Sequence, residues 1–243
     1  SPTQNVGAPV LSELKKVNIT PKPMLSLAKC HSAEEVKNFA GDKVVIAMVK
    51  LDGLSVRLKY HDGRLVSANT RGNGEVGTDI SAHVRQFTNV PLTISDKKDW
   101  VIDGEAIIKL SDFAQINKDG QFANPRNAAS GALNLLDTSE VKKRRLSFIA
   151  WDVIEPHNTN SLWDNLNEIR SLGFEVVPFS SGDLKSWKPY DEIDIEAINW
   201  DVLTNMAKDL PCDGVVWKFN DIKYGESLGR VAHDFKNAIA FKP

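Results

Sequence analysis

Cysteine is scarce. The 243 residues hold only Cys30 and Cys212, far apart and without a second ligand cluster beside either. That excludes a disulfide framework and gives no support to a zinc site. Long apolar runs are missing as well. The longest clean one, Val44 to Val49, is far short of a membrane span. No secretory or transit segment is expected ahead of this region, and no internal repeat or low-complexity stretch interrupts the sequence. Neither sign of charge is in excess. The 30 basic and 32 acidic residues give a formal net charge of -2, which rules out a strongly basic coat for nucleic acid and leaves room for a local basic groove. With 42% hydrophobic and 26% charged residues the composition is that of a globular chain, not a disordered one. A soluble, intracellular, cytoplasmic protein without a membrane partner is expected, as one large domain or two small ones.

What is present is a succession of short strands and helices. The first 30 residues are irregular and carry Pro2, Pro9, Pro21 and Pro23. Residues 1–30 are therefore expected as an extended arm on a body formed by residues 31–243. Ser32-Ala33-Glu34-Glu35 reads as a capping box opening a helix to about Ala40. Val44 to Val49 is a buried-type strand, and Ser55 to Tyr60 alternates. His61-Asp62-Gly63 is a hairpin turn, and Leu65 to Thr70 leads away from it. A glycine-rich loop, Arg71 to Gly77, follows. Trp100 to Lys109 holds another strand. Asn124-Pro125 is a good helix start, with the helix expected to about Leu136. Phe148 to Ile154 reads as a buried strand. Ser161 caps a helix that Gly173 stops, and Glu175 to Phe179 reads as a strand. Ile198, Val202, Leu203, Met206 and Leu210 mark a further helix, and Val215 to Phe219 and Ala238 to Lys242 close the chain as strands. Hairpins mixed with helices point to α+β, not to a doubly wound sheet.

Charges interrupt several of these apolar strands. Lys50, in Lys50-Leu51-Asp52-Gly53, follows six apolar residues and precedes a glycine turn. Its amine would sit at the end of a buried strand, where burial and nearby cations lower a lysine pKa as a nucleophile requires. A surface lysine before an Asp-Gly turn is the plainer reading of that tetrapeptide. Lys218 ends Asp213-Gly214-Val215-Val216-Trp217-Lys218 and Lys242 ends Ala238-Ile239-Ala240-Phe241-Lys242 in the same manner. Asp103-Gly104-Glu105 places carboxylates inside a fourth apolar strand. Lysines snorkelling from sheet edges explain any one of these but not the recurrence, which suggests a pocket for an anionic group.

These four segments, in chain order from Lys50 through Asp103 and Asp213 to Ala238, resemble the nucleotidyltransferase motifs of covalent-lysine ligases. Ser1-Pro2-Thr3-Gln4, Pro23-Met24-Leu25-Ser26-Leu27, Thr70-Arg71-Gly72-Asn73-Gly74 and Ala123-Asn124-Pro125-Arg126-Asn127-Ala128-Ala129-Ser130-Gly131 narrow the resemblance to the NAD-dependent DNA ligases of bacteria. The resemblance covers nearly the whole chain. It implies an α+β covalent nucleotidyltransferase fold (ATP-grasp-like), with antiparallel sheets flanked by helices and the nucleotide between them. Lys50 would attack the α-phosphorus of NAD, release nicotinamide mononucleotide and carry AMP as a phosphoramidate. The AMP would pass to the 5′-phosphate of nicked double-stranded DNA, and the 3′-hydroxyl would displace it.

Residue by residue, the resemblance sets Lys242 on the AMP phosphate, Lys218 on the base, and Glu105 and Arg71 on the ribose. Arg71 and Arg126 would also meet DNA. Asp52 and Asp213 would orient the site and its magnesium through water, with no direct protein ligand to the metal. Ser26 and Leu27 would line the adenine pocket. Three departures stand out. Met48 replaces a glutamate that reads adenine, so base recognition would lean on backbone or Lys218. Asn134 replaces an arginine, and the arginine expected before the Asp213 motif is missing, with Lys208 the nearest basic residue. They suggest a divergent member from a bacterial or virus-infected bacterial cell. The family also carries a helical mononucleotide-binding domain before this region. An OB-fold, a zinc module, a helix-hairpin-helix region and a BRCT domain follow it. Missing domains or a second subunit are therefore expected partners, and the piece alone should react poorly with NAD. Two other readings are an ATP-dependent polynucleotide ligase domain and a non-catalytic scaffold that kept the fold.

Overall fold

The structure is a computed structural model that describes residues 13–180 and 193–243. Ser1-Pro2-Thr3-Gln4 lies outside the described residues. Two sheets carry the fold. The first contains β2 (Ser26–Cys30), β3 (Val45–Leu51), β9 (Cys212–Phe219), β10 (Arg230–Val231) and β11 (Asp234–Phe241). It runs β3-β9-β11, and β11 also pairs with β10 and, in parallel, with β2. The second is an antiparallel meander in the order β5-β4-β7-β8, built from β4 (Leu54–His61), β5 (Arg64–Thr70), β7 (Trp100–Ile107) and β8 (Ser147–Glu155). A third, two-stranded pair joins β1 (Lys16–Asn18) to β6 (Val76–Thr78), so residues ahead of β2 are tied down by the glycine-rich loop.

Local chemistry explains the main boundaries. Helix α1 (Ala33–Ala40) opens on Ser32, whose hydroxyl accepts from the Glu35 amide while the Glu35 carboxylate accepts from the Ser32 amide. Between β4 and β5, Asp62 and Gly63 both take positive φ, 50° and 74°, as the tight hairpin demands. Two short helices, α2 (Ser81–Val84) and α3 (Leu110–Ile116), had no clear periodic signal. Helix α4 (Pro125–Leu133) begins on the Asn124 cap, which accepts from Asn127 N at 2.8 Å. It ends three residues before the expected Leu136, because the Asn134 amide turns back onto the Ser130 carbonyl at 3.1 Å. A 3₁₀ helix, Thr138–Arg144, follows. Helix α5 (Leu162–Ser171) buries Leu162, Leu166 and Ile169, and stops at Gly173, whose φ is +108°.

The expected strand at Glu175–Phe179 is not one. Val176 bridges to Ala150 of β8, and Phe179 bridges to Met48 of β3. The segment crosses from one sheet to the other, and Pro178, which has no amide proton, offers only its carbonyl to Val49 N at 3.0 Å. The expected helix around Ile198–Leu210 is α6 (Ile195–Asp201), followed by a π-helical turn, Val202–Met206. Ala207 N reaches Val202 O at 3.2 Å in that turn, which leaves Leu210 outside the helix. Helix α7 (Ile222–Ser227) completes the set.

One apolar core runs through both sheets, with Trp100, Tyr60 and Phe148 from the second and Trp217 and Ile46 from the first fully buried. Cys30 and Cys212 are both free thiols. Among the described residues no helix is long and apolar enough to cross a membrane.

Candidate active site

The two sheets face each other across a cavity of about 290 Å³. Strand register explains its floor. Lys50 stands opposite Gly214, Met48 opposite Val216, and Val216 opposite Ala240. Direct partners in an antiparallel ladder point to the same side, so Lys50, Met48, Val216, Lys218, Ala238 and Ala240 share the cavity face, and all six line the cavity. Glycine at 214 is required by close approach. A Cβ there would collide with the Phe241 carbonyl and lie 3.3 Å from Lys50 Cδ.

At one end the charges are arranged around Asp213. Its Oδ1 accepts from Lys50 Nζ at 3.1 Å, and its Oδ2 accepts from Lys242 Nζ at 3.3 Å. One carboxylate thus holds two ammonium groups brought in by β3 and by the end of β11. All three side chains are about one-quarter to one-third exposed, so a ligand can reach them. Nearby, Asp52 of the turn after β3 pairs with Arg126 in the first turn of α4 at 3.6 Å. Arg126 is exposed and lines the same cavity, and Arg71 enters it from the glycine-rich loop. Gly72, next to Arg71, has φ +52°, and a Cβ there would meet the Val76 carbonyl, so the loop needs glycine.

The roof comes from the second sheet. Glu105 of β7 stands opposite Ser55 of β4, and its Oε1 accepts from Ser55 Oγ and from Trp151 Nε1, each at 3.3 Å. Burial pushes the Glu105 carboxyl up to about 7, against the opposing pull of Trp151, Lys50, Ser55 and Arg71. At the end away from Asp213, Lys218 Nζ donates to Asp152 Oδ2 at 2.7 Å, and both side chains are nearly buried. Burial opposes ionisation of Asp152, but Lys218 and Lys22 outweigh it and hold the carboxyl below its usual range.

Every predicted site residue except Asp52 lines this one cavity, and Asp52 joins it through Arg126. Ser26 and Leu27 form part of the wall. The Ser26 hydroxyl is already committed to Asp234 Oδ1 at 2.8 Å. Lys208 is exposed in the turn after the π helix and does not line the cavity. Three residues were missed. Trp151 and Asp152 sit in a strand read as simply buried, and the only hint was a charge inside an apolar run. Arg57 of β4 is fully buried and binds Asp103 through Nε at 2.7 Å and Nη2 at 3.0 Å. Its Nη1 also donates to the Thr20 and Lys22 carbonyls, at 3.0 and 2.5 Å, which fixes the segment leading into the cavity wall.

Such a cleft, with paired lysines on one sheet and a carboxylate roof on the other, defines an α+β nucleotidyltransferase fold. The solved structure named Pmar-Lig_PreS3 shares the fold, with a TM-score of 0.51 at 15% identity over 92% of this chain and 47% of that one. Residues 11–243 match the family model described as the NAD-dependent DNA ligase adenylation domain. A DNA ligase of Lachnoclostridium phytofermentans is 39% identical over 253 residues, covering 100% of this chain and 37% of the relative. One of Ruminiclostridium cellulolyticum is 37% identical over 250 residues, with the same coverage. This chain belongs to the family of NAD-dependent DNA ligase adenylation domains, and it spans 37% of the length of these curated relatives.

Proposed function

We propose that this chain performs the adenylation step of DNA nick sealing, with Lys50 as the nucleophile. The observation that carries the reading is the Asp213 carboxylate shared by Lys50 and Lys242 at the mouth of the cavity. NAD is consumed as the AMP donor and is therefore a substrate. The Lys50 amine forms a bond to the α-phosphorus, and the bond from that phosphorus to the bridging oxygen breaks, releasing nicotinamide mononucleotide. A proton leaves Nζ, and Asp213 Oδ1, at 3.1 Å, is the acceptor at hand. Lys242 meets the charge gathering on the phosphate oxygens. Glu105 holds the ribose with Arg71, Lys218 contacts the base, and Ser26 and Leu27 line the adenine pocket. Asp52 and Arg126 flank the exit toward the 5′-phosphate of nicked DNA, to which AMP passes before the 3′-hydroxyl displaces it.

Among the described residues no three His, Cys, Asp or Glu side chains are grouped to hold a metal ion. A hydrated ion would meet only Asp52 and Asp213, through water. No step above depends on it.

Intact mass spectrometry after incubation with NAD tests the reading. One adenylyl group should be gained, lost again with excess nicotinamide mononucleotide, and absent in Lys50→Ala. Label retained in that variant would move the nucleophile elsewhere.

A further inference from the structure

Along β9, Lys218 lies four residues from Gly214, the partner of Lys50, a separation of about 13 Å at strand rise. The cavity therefore has a phosphate end at Lys50 and a second polar end at Lys218. That second end depends on a β-bulge. Asp103 of β7 pairs with Asp152, but the next residue, Gly104, pairs with Ala150, so Trp151 is an extra residue in β8. In a regular strand Trp151 and Asp152 would point to opposite faces. The bulge lets both line the cavity.

Asp152 is only half used by the protein. Its Oδ2 accepts from Lys218, while its Oδ1 has no hydrogen-bond partner among the described residues. Lys218 likewise has donors to spare beyond its bond to Asp152. An unfilled carboxylate oxygen beside an unfilled ammonium donor matches a base edge with one donor and one acceptor in line. The 6-amine and ring N1 of adenine form such an edge. Met48, on the facing strand, presents only a thioether, a weak acceptor. We infer that Asp152, aimed by the bulge, is the residue that reads the 6-amine of the bound adenine, with Lys218 donating to the adjacent ring nitrogen. This rests on the adenylation reading above and adds the residue that selects the base.

The test is binding of three nucleotides to the purified chain by calorimetry: AMP, purine riboside monophosphate (which lacks the 6-amine) and GMP. Wild type should prefer AMP to purine riboside monophosphate by about tenfold to a hundredfold, the worth of a hydrogen bond to a charged group. Asp152→Ala should cut that preference to less than about threefold while still binding both. Asp152→Asn is nearly isosteric and keeps an oxygen acceptor without the charge, so its preference should fall only part of the way. An undiminished preference in either variant overturns the inference, as does an equal loss of affinity for both nucleotides. A wild-type preference for GMP overturns it too. Wild type that binds no adenine nucleotide overturns the adenylation reading itself, an outcome distinct from the others because no preference then exists to be lost.

Discussion

Glu105 is expected to be a destabilising residue at neutral pH. Its carboxyl is pushed from the ordinary 4.5 up to about 7, mainly by loss of water around it. The folded chain therefore holds this proton more tightly than the unfolded chain does. Between those two values the folded state binds more protons, and stability falls as pH rises. Below the lower value Glu105 is protonated in both states and nothing is lost. Above the upper value the whole difference is lost, about 3.5 kcal/mol as an upper bound at ~1.4 kcal/mol per pH unit. Glu105→Gln removes the titration and keeps the contacts, because an amide oxygen can still accept from Ser55 Oγ and Trp151 Nε1. Urea unfolding of both proteins across the window measures the effect. The variant should gain about 1–3 kcal/mol over wild type between about pH 4.5 and about pH 8. Other carboxylates titrate in both proteins and cancel in the difference. A difference that stays flat across the window would refute the reasoning, and one of opposite sign would mean that Arg71 and Lys50 outweigh burial. In the adenylation reading the same variant should lose ribose binding, so stability and activity should move in opposite directions at high pH.

The other expectations concern the scaffold. Arg57→Ala strands the buried Asp103 and frees the Thr20 and Lys22 carbonyls, and should cost about 3–5 kcal/mol in denaturant unfolding. Gly214→Ala forces a methyl against the Phe241 carbonyl and the Lys50 stem, so it should cost about 1–3 kcal/mol and slow covalent labelling beyond that loss. Trp217→Phe leaves the buried Asn199 oxygen without its 2.8 Å donor and should destabilise by about 1–3 kcal/mol with labelling unchanged. Ser32→Ala removes one half of the α1 capping box and should cost about 1 kcal/mol.

The three site lysines and Arg71 were legible through one property: each sits at the end of an apolar strand or in a glycine turn. Lys50, Lys218 and Lys242 were visible because an ammonium after a run of buried residues needs a reason. What joins them was not visible. Asp213 lies two residues before Val215 in a segment that also reads as a turn, and only the β3-β9-β11 register sets it between two lysines. Arg57 lies with Ser55 and Lys59 on the polar side of an alternating strand, a pattern that reads as solvent-facing. That side is covered by residues 20–22, and no local pattern announces a cover supplied from 35 residues upstream. Asp152 was hidden by the bulge, which breaks the two-residue period on which strand reading depends. Glu175–Phe179 misled for a related reason. Its residues suit a strand, but each end bonds to a different sheet.

Three carboxylates on adjacent strands of the roof meet the same loss of water in three ways. Asp103 has both oxygens bound by the Arg57 fork, so neither oxygen is wholly free for a ligand, and the pair acts on the site chiefly by fixing the wall. Glu105 has two neutral donors on one oxygen and no bonded cation, so its proton is held near neutral pH. Asp152 has one cation on one oxygen, which keeps it ionised and leaves the other oxygen free. The order of exposed acceptor capacity is therefore Asp152, then Glu105, then Asp103. A ligand that offers a strong donor, such as an exocyclic amine, gains most at Asp152. A hydroxyl, which can donate or accept, suits Glu105 in either protonation state. In the adenylation reading, the two ends of a nucleoside would meet two carboxyls whose proton affinities are already biased by the sheet beneath them.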